Sequence, residues 1–249
     1  MESDSSKKFK QPPFMESGIL LVDKPSAWTS HDVVNFVRRR FNVKKVGHCG
    51  TLDPAATGLL VLVLGRATKL SQRLSGDDKV YESVMKIGTQ TDSLDMDGEI
   101  TAENDWSSVT ESDVKVICNQ FVGEQFQTPP MVSAKKVNGQ RLYKLARKGI
   151  EVHREPIKIK VNSLEINKIE LPLVSFTVSC SKGTYIRSLC SDIGDKLGCG
   201  GVLYCLRRLN CGMFSVENAT SVDEIKEWEQ NNLLDKMLWV NNLLDNKDV

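Results

Sequence analysis

The chain has no long apolar run. Its longest, Leu59–Leu64, falls far short of the ~20 residues a membrane-crossing helix needs. It has no Cys-x-x-Cys pair, and Cys199, Cys205 and Cys211 are too loosely spaced, with no histidine nearby, for a zinc knuckle. No metal is expected. The segment from Ser93 to Asn104 matches a calcium loop only in part, because its twelfth position is Asn104 where a bidentate acid is required. Walker, G-x-G-x-x-G, H-E-x-x-H and G-x-S-x-G patterns are also missing, which removes the common nucleotide, zincin and serine-hydrolase readings. The polar start MESDSSKKFKQPPFME lacks the apolar segment of a secretory signal. With an odd count of seven cysteines, the thiols are expected to be reduced and the protein cytoplasmic. Net charge is scarce too: 33 bases against 32 acids leave +1. By composition this is neither a basic nucleic-acid coat protein nor an acidic disordered tail.

What is there begins with 249 residues, 40% of them hydrophobic, enough for one large domain or two small ones. The charge that cancels overall is segregated along the chain. Residues 86–124 hold nine acids and two bases, and 217–249 hold eight acids and three bases. Residues 135–160 hold nine bases and two acids, and 33–48 hold five bases and no acid. Such blocks make either a local field or plain solvated faces.

Periodicity places the elements. Gly18–Val22 reads as a buried strand before the turn Asp23-Lys24-Pro25. Thr29-x-x-Asp32 is a capping pattern, and Val33, Val34, Val37 and Phe41 then share one helical face. Leu59–Leu64 and Val80–Ile87 read as strands, and Thr110 caps a helix expected to run to Val122. Residues 125–140 read as a Pro/Gly-punctuated loop, and 141–148 as a short basic helix. Alternation marks strands at Ile157–Val161 and Val174–Cys180, and Tyr185–Leu197 reads as a helix stopped by Gly198. The irregular order, with several half-polar strands, predicts an α+β fold: a mixed, mostly antiparallel sheet flanked by helices. The expected organisation is a leader at 1–17, a main domain at 18–216 and a small, helical, acidic appendage at 217–249.

One stretch combines features suited to a site. Gly47–Gly58 (GHCGTLDPAATG) carries three glycines, which allow close backbone approach, and Pro54, which stiffens the turn presenting Asp53. His48 lies five residues before that acid. Asp-Pro is also a routine turn initiator, so spacing alone leaves both a catalytic and a structural Asp53 open.

GHCGTLDPAATG resembles the motif of the TruB family of tRNA pseudouridine synthases. So do GILLVDKP, DDKVYES, GTQTDSLDMDGEI, QTPPMVSAKKVNGQRLYKLARKGIEVHRE, CSKGTYIRSL and LRRL, in order from about Gly18 to Phe214. The resemblance implies the pseudouridine synthase fold and isomerisation of the T-loop uridine of tRNA, position 55. The base is cut from ribose at N1, turned and rejoined through C5, with no cofactor. It implies a tRNA T-stem-loop as partner, no membrane, no metal, and a monomer. Asp53 matches the catalytic aspartate, either as nucleophile or as base at the sugar C2′. Arg187 matches the arginine paired with it, and Tyr81 the tyrosine that stacks on the base. Tyr185 and Leu206 match residues lining the uracil pocket, and His48 the residue that enters the T-loop as the uridine flips. Lys24 matches a lysine supporting the site or a phosphate. The basic blocks at 38–45 and 135–160 would follow phosphates. Cys49, Val132 and Val202 depart from residues common in the family. The chain also leaves no room for the full C-terminal PUA-type domain of many members. A non-catalytic module that opens the T-loop, and an enzyme of this fold acting on other RNAs, are the alternative readings.

Overall fold

The computed structural model of the chain describes residues 14–133, 136–137, 139–142, 149–150 and 152–240. In chain order these form β1 (Gly18–Lys24), α1 (Ser30–Arg40), β2 (Val46–His48), β3 (Thr57–Leu64), α2 (Ser71–Leu74), β4 (Lys79–Ile87), β5 (Thr89–Thr91) and β6 (Ile100–Glu103). Next come α3 (Glu111–Asn119), β7 (Gly123–Gln127), β8 (Lys136–Val137), β9 (Gln140–Arg141), β10 (Ile157–Glu170), β11 (Leu173–Cys180) and α4 (Ile186–Lys196). The last are β12 (Gly201–Cys211), β13 (Phe214–Ser215), β14 (Thr220–Ser221), α5 (Val222–Lys226), α6 (Gln230–Lys236) and β15 (Leu238–Trp239).

The main sheet runs β14-β1-β3-β12-β4-β11-β10-β7, with β2 on β3, β13 on β12 and β15 on β1. Among the described residues only β1–β14 and β3–β12 are strands paired in parallel, so the mixed, mostly antiparallel α+β sheet expected from the sequence is present. Strands β1 and β3 read as unbroken apolar runs because both their faces are covered. Leu20, Val22, Leu60 and Leu62 meet Val33, Val37 and Phe41 of the α1 region, together with Val222, Ile225 and Trp228 from the C-terminal segment. Ile19, Leu21, Leu59 and Val61 face the other way, onto Ala67, Leu70 and Phe214. In the second half β4 and β11 alternate instead. Met85, Ile87, Phe176 and Val178 turn to α3 and α4, where Val114, Leu189 and Ile193 complete that core.

Four expectations need adjustment. Helix α3 stops at Asn119, not Val122; the chain then turns, with Phe121 N–H on the Cys118 carbonyl, and enters β7 at Gly123 with φ +115°. Residues 125–127 are not loop but part of β7, recruited by backbone pairing to β10. Phe14 is buried and its N–H reaches the Asn42 carbonyl, so the chain is anchored before residue 17; the rest of the expected leader, 1–13, lies outside the described residues. Residues 217–240 lie on the main sheet through β14 and β15 and share the α1 core, because Val222, Ile225, Trp228 and Leu233 supply an apolar face that only that surface covers. Most of the expected 141–148 helix falls outside the described residues.

Candidate active site

Asp53 sits in the 49–56 loop between β2 and β3, and four tethers define that loop. Ser30, at the start of α1, donates to the Leu52 carbonyl (3.1 Å) and accepts from the Leu52 N–H (2.8 Å). The capping box of Thr29 and Asp32 fixes the helix turn that carries Ser30. Lys24, fully buried, donates from Nζ to the carbonyls of Pro25 (2.8 Å), Trp28 (2.6 Å) and Pro54 (3.1 Å). Arg208 of β12 donates from Nη2 to the Gly50 carbonyl (3.1 Å). The fourth tether grips the carboxylate: Arg187 Nη2 stands 3.1 Å from Asp53 Oδ2.

Arg187 occupies the first turn of α4, where a cation opposes the helix dipole. Its surroundings offset that cost. Besides Asp53 it has Asp95 Oδ2 at 3.5 Å, and it donates to the carbonyls of Ser93 (3.0 Å) and Val132 (2.7 Å). The guanidinium is 4% exposed whereas the Asp53 side chain is 41% exposed, so the base-like end of the pair reaches open space. No side chain among the described residues caps α4. Instead the amide of Gln127 brackets Tyr185, accepting from its N–H (2.8 Å) and donating to its carbonyl (3.0 Å), which fixes where Arg187 starts.

A cavity of about 260 Å³ gathers Asp53, Tyr81, Tyr185, Arg187 and Leu206, with Lys79 and Arg208 in its wall. Asp53 and Leu206 also border an adjoining cleft of about 380 Å³, reached by Asp95, Asp97, Tyr204 and Cys205. Five of the seven residues expected at a site therefore share one cavity, though Arg187 lies 134 positions after Asp53 in the chain. Lys24 does not line it: its ammonium is wholly engaged beneath the loop. His48 lies on β2 outside the lining, with Nδ1 buried and unpaired among the described residues.

A family model described as the N-terminal domain of TruB family pseudouridylate synthase matches residues 38–186, and one described as the tRNA pseudouridylate synthase B C-terminal domain matches 187–244. The chain belongs to the TruB family. It is 48% identical over 216 residues to the tRNA pseudouridine synthase B of Opitutus terrae, covering 87% of this chain and 90% of that one. It is 53% identical over 207 residues to the namesake from Geotalea uraniireducens, covering 83% and 67%. Among solved structures it resembles one in a Cbf5–Nop10–Gar1 complex, with TM-score 0.67 and 32% identity over 85% of this chain; the chain spans 54% of that one.

Within this TruB-family site the charges are not independent. Burial pushes the Asp53 carboxyl above its ordinary value; Arg187 pulls it down and the Asp95 charge pushes it up again. Burial also lowers the Lys24 ammonium to about 8, with Asp53 opposing. Burial lowers His48 below its usual value, which keeps its ring neutral at pH 7. Tyr81 belongs both to the apolar core of β4 and to the cavity wall, and its phenol is raised by burial.

Sequence reasoning missed Asp95, Gln127 and Arg208. Asp95 is delivered by a bridge between the 93–97 turn and Leu203 of β12, closed by Leu203 N–H on the Leu94 carbonyl (3.1 Å). Its signal was the run of acids Asp92, Asp95 and Asp97 in a segment otherwise read for metal binding. No cluster of metal-ligating side chains occurs among the described residues, and no described helix is long and apolar enough to cross a membrane.

Proposed function

We propose that the chain isomerises the T-loop uridine of tRNA to pseudouridine, with Asp53 acting on the flipped nucleotide. One observation carries this reading: a partly exposed carboxylate, held by a buried guanidinium, faces a cavity walled by a tyrosine and a leucine. An aromatic and an aliphatic wall suit the faces of a uracil taken out of its stack, with stacking on an aromatic ring worth ~1–3 kcal/mol. The names carried by its relatives agree with a tRNA substrate.

In this reading the N1–C1′ bond breaks, the base turns within the slot, and a C5–C1′ bond forms. C5 loses its proton and N1 gains one, so no cofactor is needed. Asp53 attacks the sugar or removes the C2′ proton; either role requires the ionised form that Arg187 favours. Tyr81 and Leu206 hold the uracil plane, and Tyr185 closes the α4 side. His48, neutral and at the loop's entrance strand, fills the place the uridine leaves. Lys24 supports the site by holding Pro54, next to Asp53. The enzyme works in the cytoplasm as a monomer, without metal.

The test is tritium release from T-loop RNA carrying a C5-tritiated uridine. Wild type is expected to release tritium and Asp53→Asn to release none while still binding the RNA. No release by wild type overturns the reading, and equal release by both removes Asp53 from the chemistry.

A further inference from the structure

The Asp53 cavity is edged by two segments far apart in the chain. One is the end of α2, where Ser75 lines the cavity; the other is the 181–184 turn between β11 and α4, where Ser181, Gly183 and Thr184 line it. Gly183 is exposed, so on this side the cavity opens to solvent. The two segments meet at Gly76. A Cβ there would lie 3.0 Å from the Arg73 carbonyl oxygen and 3.8 Å from Nζ of Lys182, so the lysine's charge sits directly over the glycine. Lys182 is exposed, and its ammonium has no ion pair or hydrogen bond among the described residues.

A second cation lies behind this rim. Lys79 of β4 lines the cavity and is 6% exposed. Its ammonium donates to the carbonyls of Ser75 (2.8 Å) and Asp77, and no carboxylate pairs with it among the described residues. Burying an ammonium without an acid is costly, and two carbonyls leave one of its three donors unused. The acids that precede it face elsewhere. Asp78 accepts from the Asn162 amide (2.9 Å), and the Asp77 carboxylate lies against Gly212, where a Cβ would sit 2.5 Å from Oδ2. Ser181 adds a third donor. Its Oγ accepts from the Lys160 N–H (2.9 Å) and its N–H meets the Lys160 carbonyl (2.8 Å), which pins it to β10, while its own hydroxyl proton has no acceptor among the described residues. Thr184 closes the turn by donating to the Ser181 carbonyl (2.9 Å). Two positive charges and a spare hydroxyl, with no acid answering them, are suited to an anion.

A nucleotide whose base fills this cavity brings its own phosphodiesters to the rim. We propose that the rim is a phosphate subsite: Lys182 and Ser181 bind a phosphodiester flanking the flipped uridine, with Lys79 as the buried charge behind it. This rests on the pseudouridine synthase reading above. Lys79 and Lys182 lie outside the basic blocks at 38–45 and 135–160, so this grip is separate from theirs. It engages only when the uridine has entered the cavity, and so helps to offset the cost of unstacking it.

A cycle between protein and RNA tests it, read as the Kd of the full chain for a T-loop RNA. Lys182→Gln is expected to weaken binding at least ~10-fold, the scale of one lost charge-assisted contact, and Lys182→Arg less than ~3-fold. In the RNA, the phosphodiester 5′ or 3′ of the target uridine is replaced, one at a time, by a neutral methylphosphonate. One of the two replacements is expected to cost wild type at least ~10-fold but Lys182→Gln less than ~2-fold, since that contact is already gone. If both replacements cost the two proteins equally, the proposal is overturned and Lys182 serves other phosphates or none. Should Lys182→Gln fail to fold, Ser181→Ala takes its place in the cycle, with the same requirement that one replacement cost the variant less than wild type. The cycle needs no turnover. A wild type that shows the coupling but releases no tritium refutes the underlying function, whereas an active wild type without coupling refutes the subsite alone.

Discussion

At the residue scale the site is a contest of two acids for one arginine. Asp95 shares Arg187 with Asp53 and raises the Asp53 pKa by its charge. In the proposed reaction the ionised Asp53 is the working form, so activity should fall as pH drops through its folded-state value. Asp95→Asn removes a like charge and is expected to move that acid limb of the kcat profile to lower pH, checked by tritium release across pH 4–7. An upward shift would mean that Asp95 matters chiefly by aligning Arg187. Lys24 acts on the same loop from below. Lys24→Met would take the shared donor from the carbonyls of Pro25, Trp28 and Pro54, expected to cost about 1–3 kcal/mol in a urea unfolding series and to slow turnover by loosening Pro54. Part of this site could be read from residues alone. The glycines, Asp53 and Pro54 of the loop announce a shaped turn, and Tyr81 falls where a strand tyrosine belongs. The Asp53–Arg187 pairing was legible only through family resemblance, because no local spacing links positions so far apart. Asp95, Gln127 and Arg208 were hidden for the same reason: their partners are carbonyls and side chains from other elements, which tertiary packing alone brings near.

At the element scale α4 carries the demand. Its first turn must hold a buried arginine, and its last turns must pass close to β12, where a Cβ on Gly194 would meet the Gly200 carbonyl carbon at 2.2 Å. Between these ends Asp192 has its carboxyl raised to about 6 by burial and by the nearby Asp195. A carboxyl with a folded pKa above its unfolded one binds more protons when folded, so stability falls as pH rises from about 4 to 6. Asp192→Asn should remove that slope and raise stability at pH 7 by about 1–2 kcal/mol, the nominal shift being discounted for partial solvent access. Thermal melts at pH 4.5 and 7 check it; a destabilised variant at pH 7 would show that Asp192 has a partner it needs. Elements with strong periodicity, such as α1 and β11, and the unbroken apolar run of β3 were legible before the fold. The end of α3 and strand β7 were not, since backbone pairing with β10, not local preference, decides them.

At the scale of the whole molecule, the net charge of +1 says little about an RNA partner and the distribution says more. Even the basic blocks are partly spent within the protein. Arg40 donates to the carbonyls of Lys226 (3.2 Å) and Trp228 (2.5 Å), and Lys158 pairs with Glu124 at 2.9 Å. The phosphate grip therefore falls to fewer groups than a count of bases suggests. Raising salt from 50 to 200 mM is expected to weaken T-loop RNA binding at least ~10-fold, short of the ~1,000-fold expected for six or more phosphate contacts. Binding indifferent to salt would remove the electrostatic component altogether.

The thiols offer a practical handle on the same cleft. All seven are free, and only Cys205 is exposed, beside Leu206 at the border of the Asp53 cavity. Burial pushes Cys49 to about 12 and Cys118 and Cys180 to about 11, leaving them poor nucleophiles as well as out of reach. A colorimetric disulfide reagent should thus titrate one thiol quickly in the native protein and all seven in denaturant; two or more fast thiols would mean a looser interior. That single reactive position makes the protein its own probe. A fluorophore coupled at Cys205, with no engineered cysteine and no background sites to remove, would signal arrival of an RNA at the mouth of the cavity in real time, before any bond is broken.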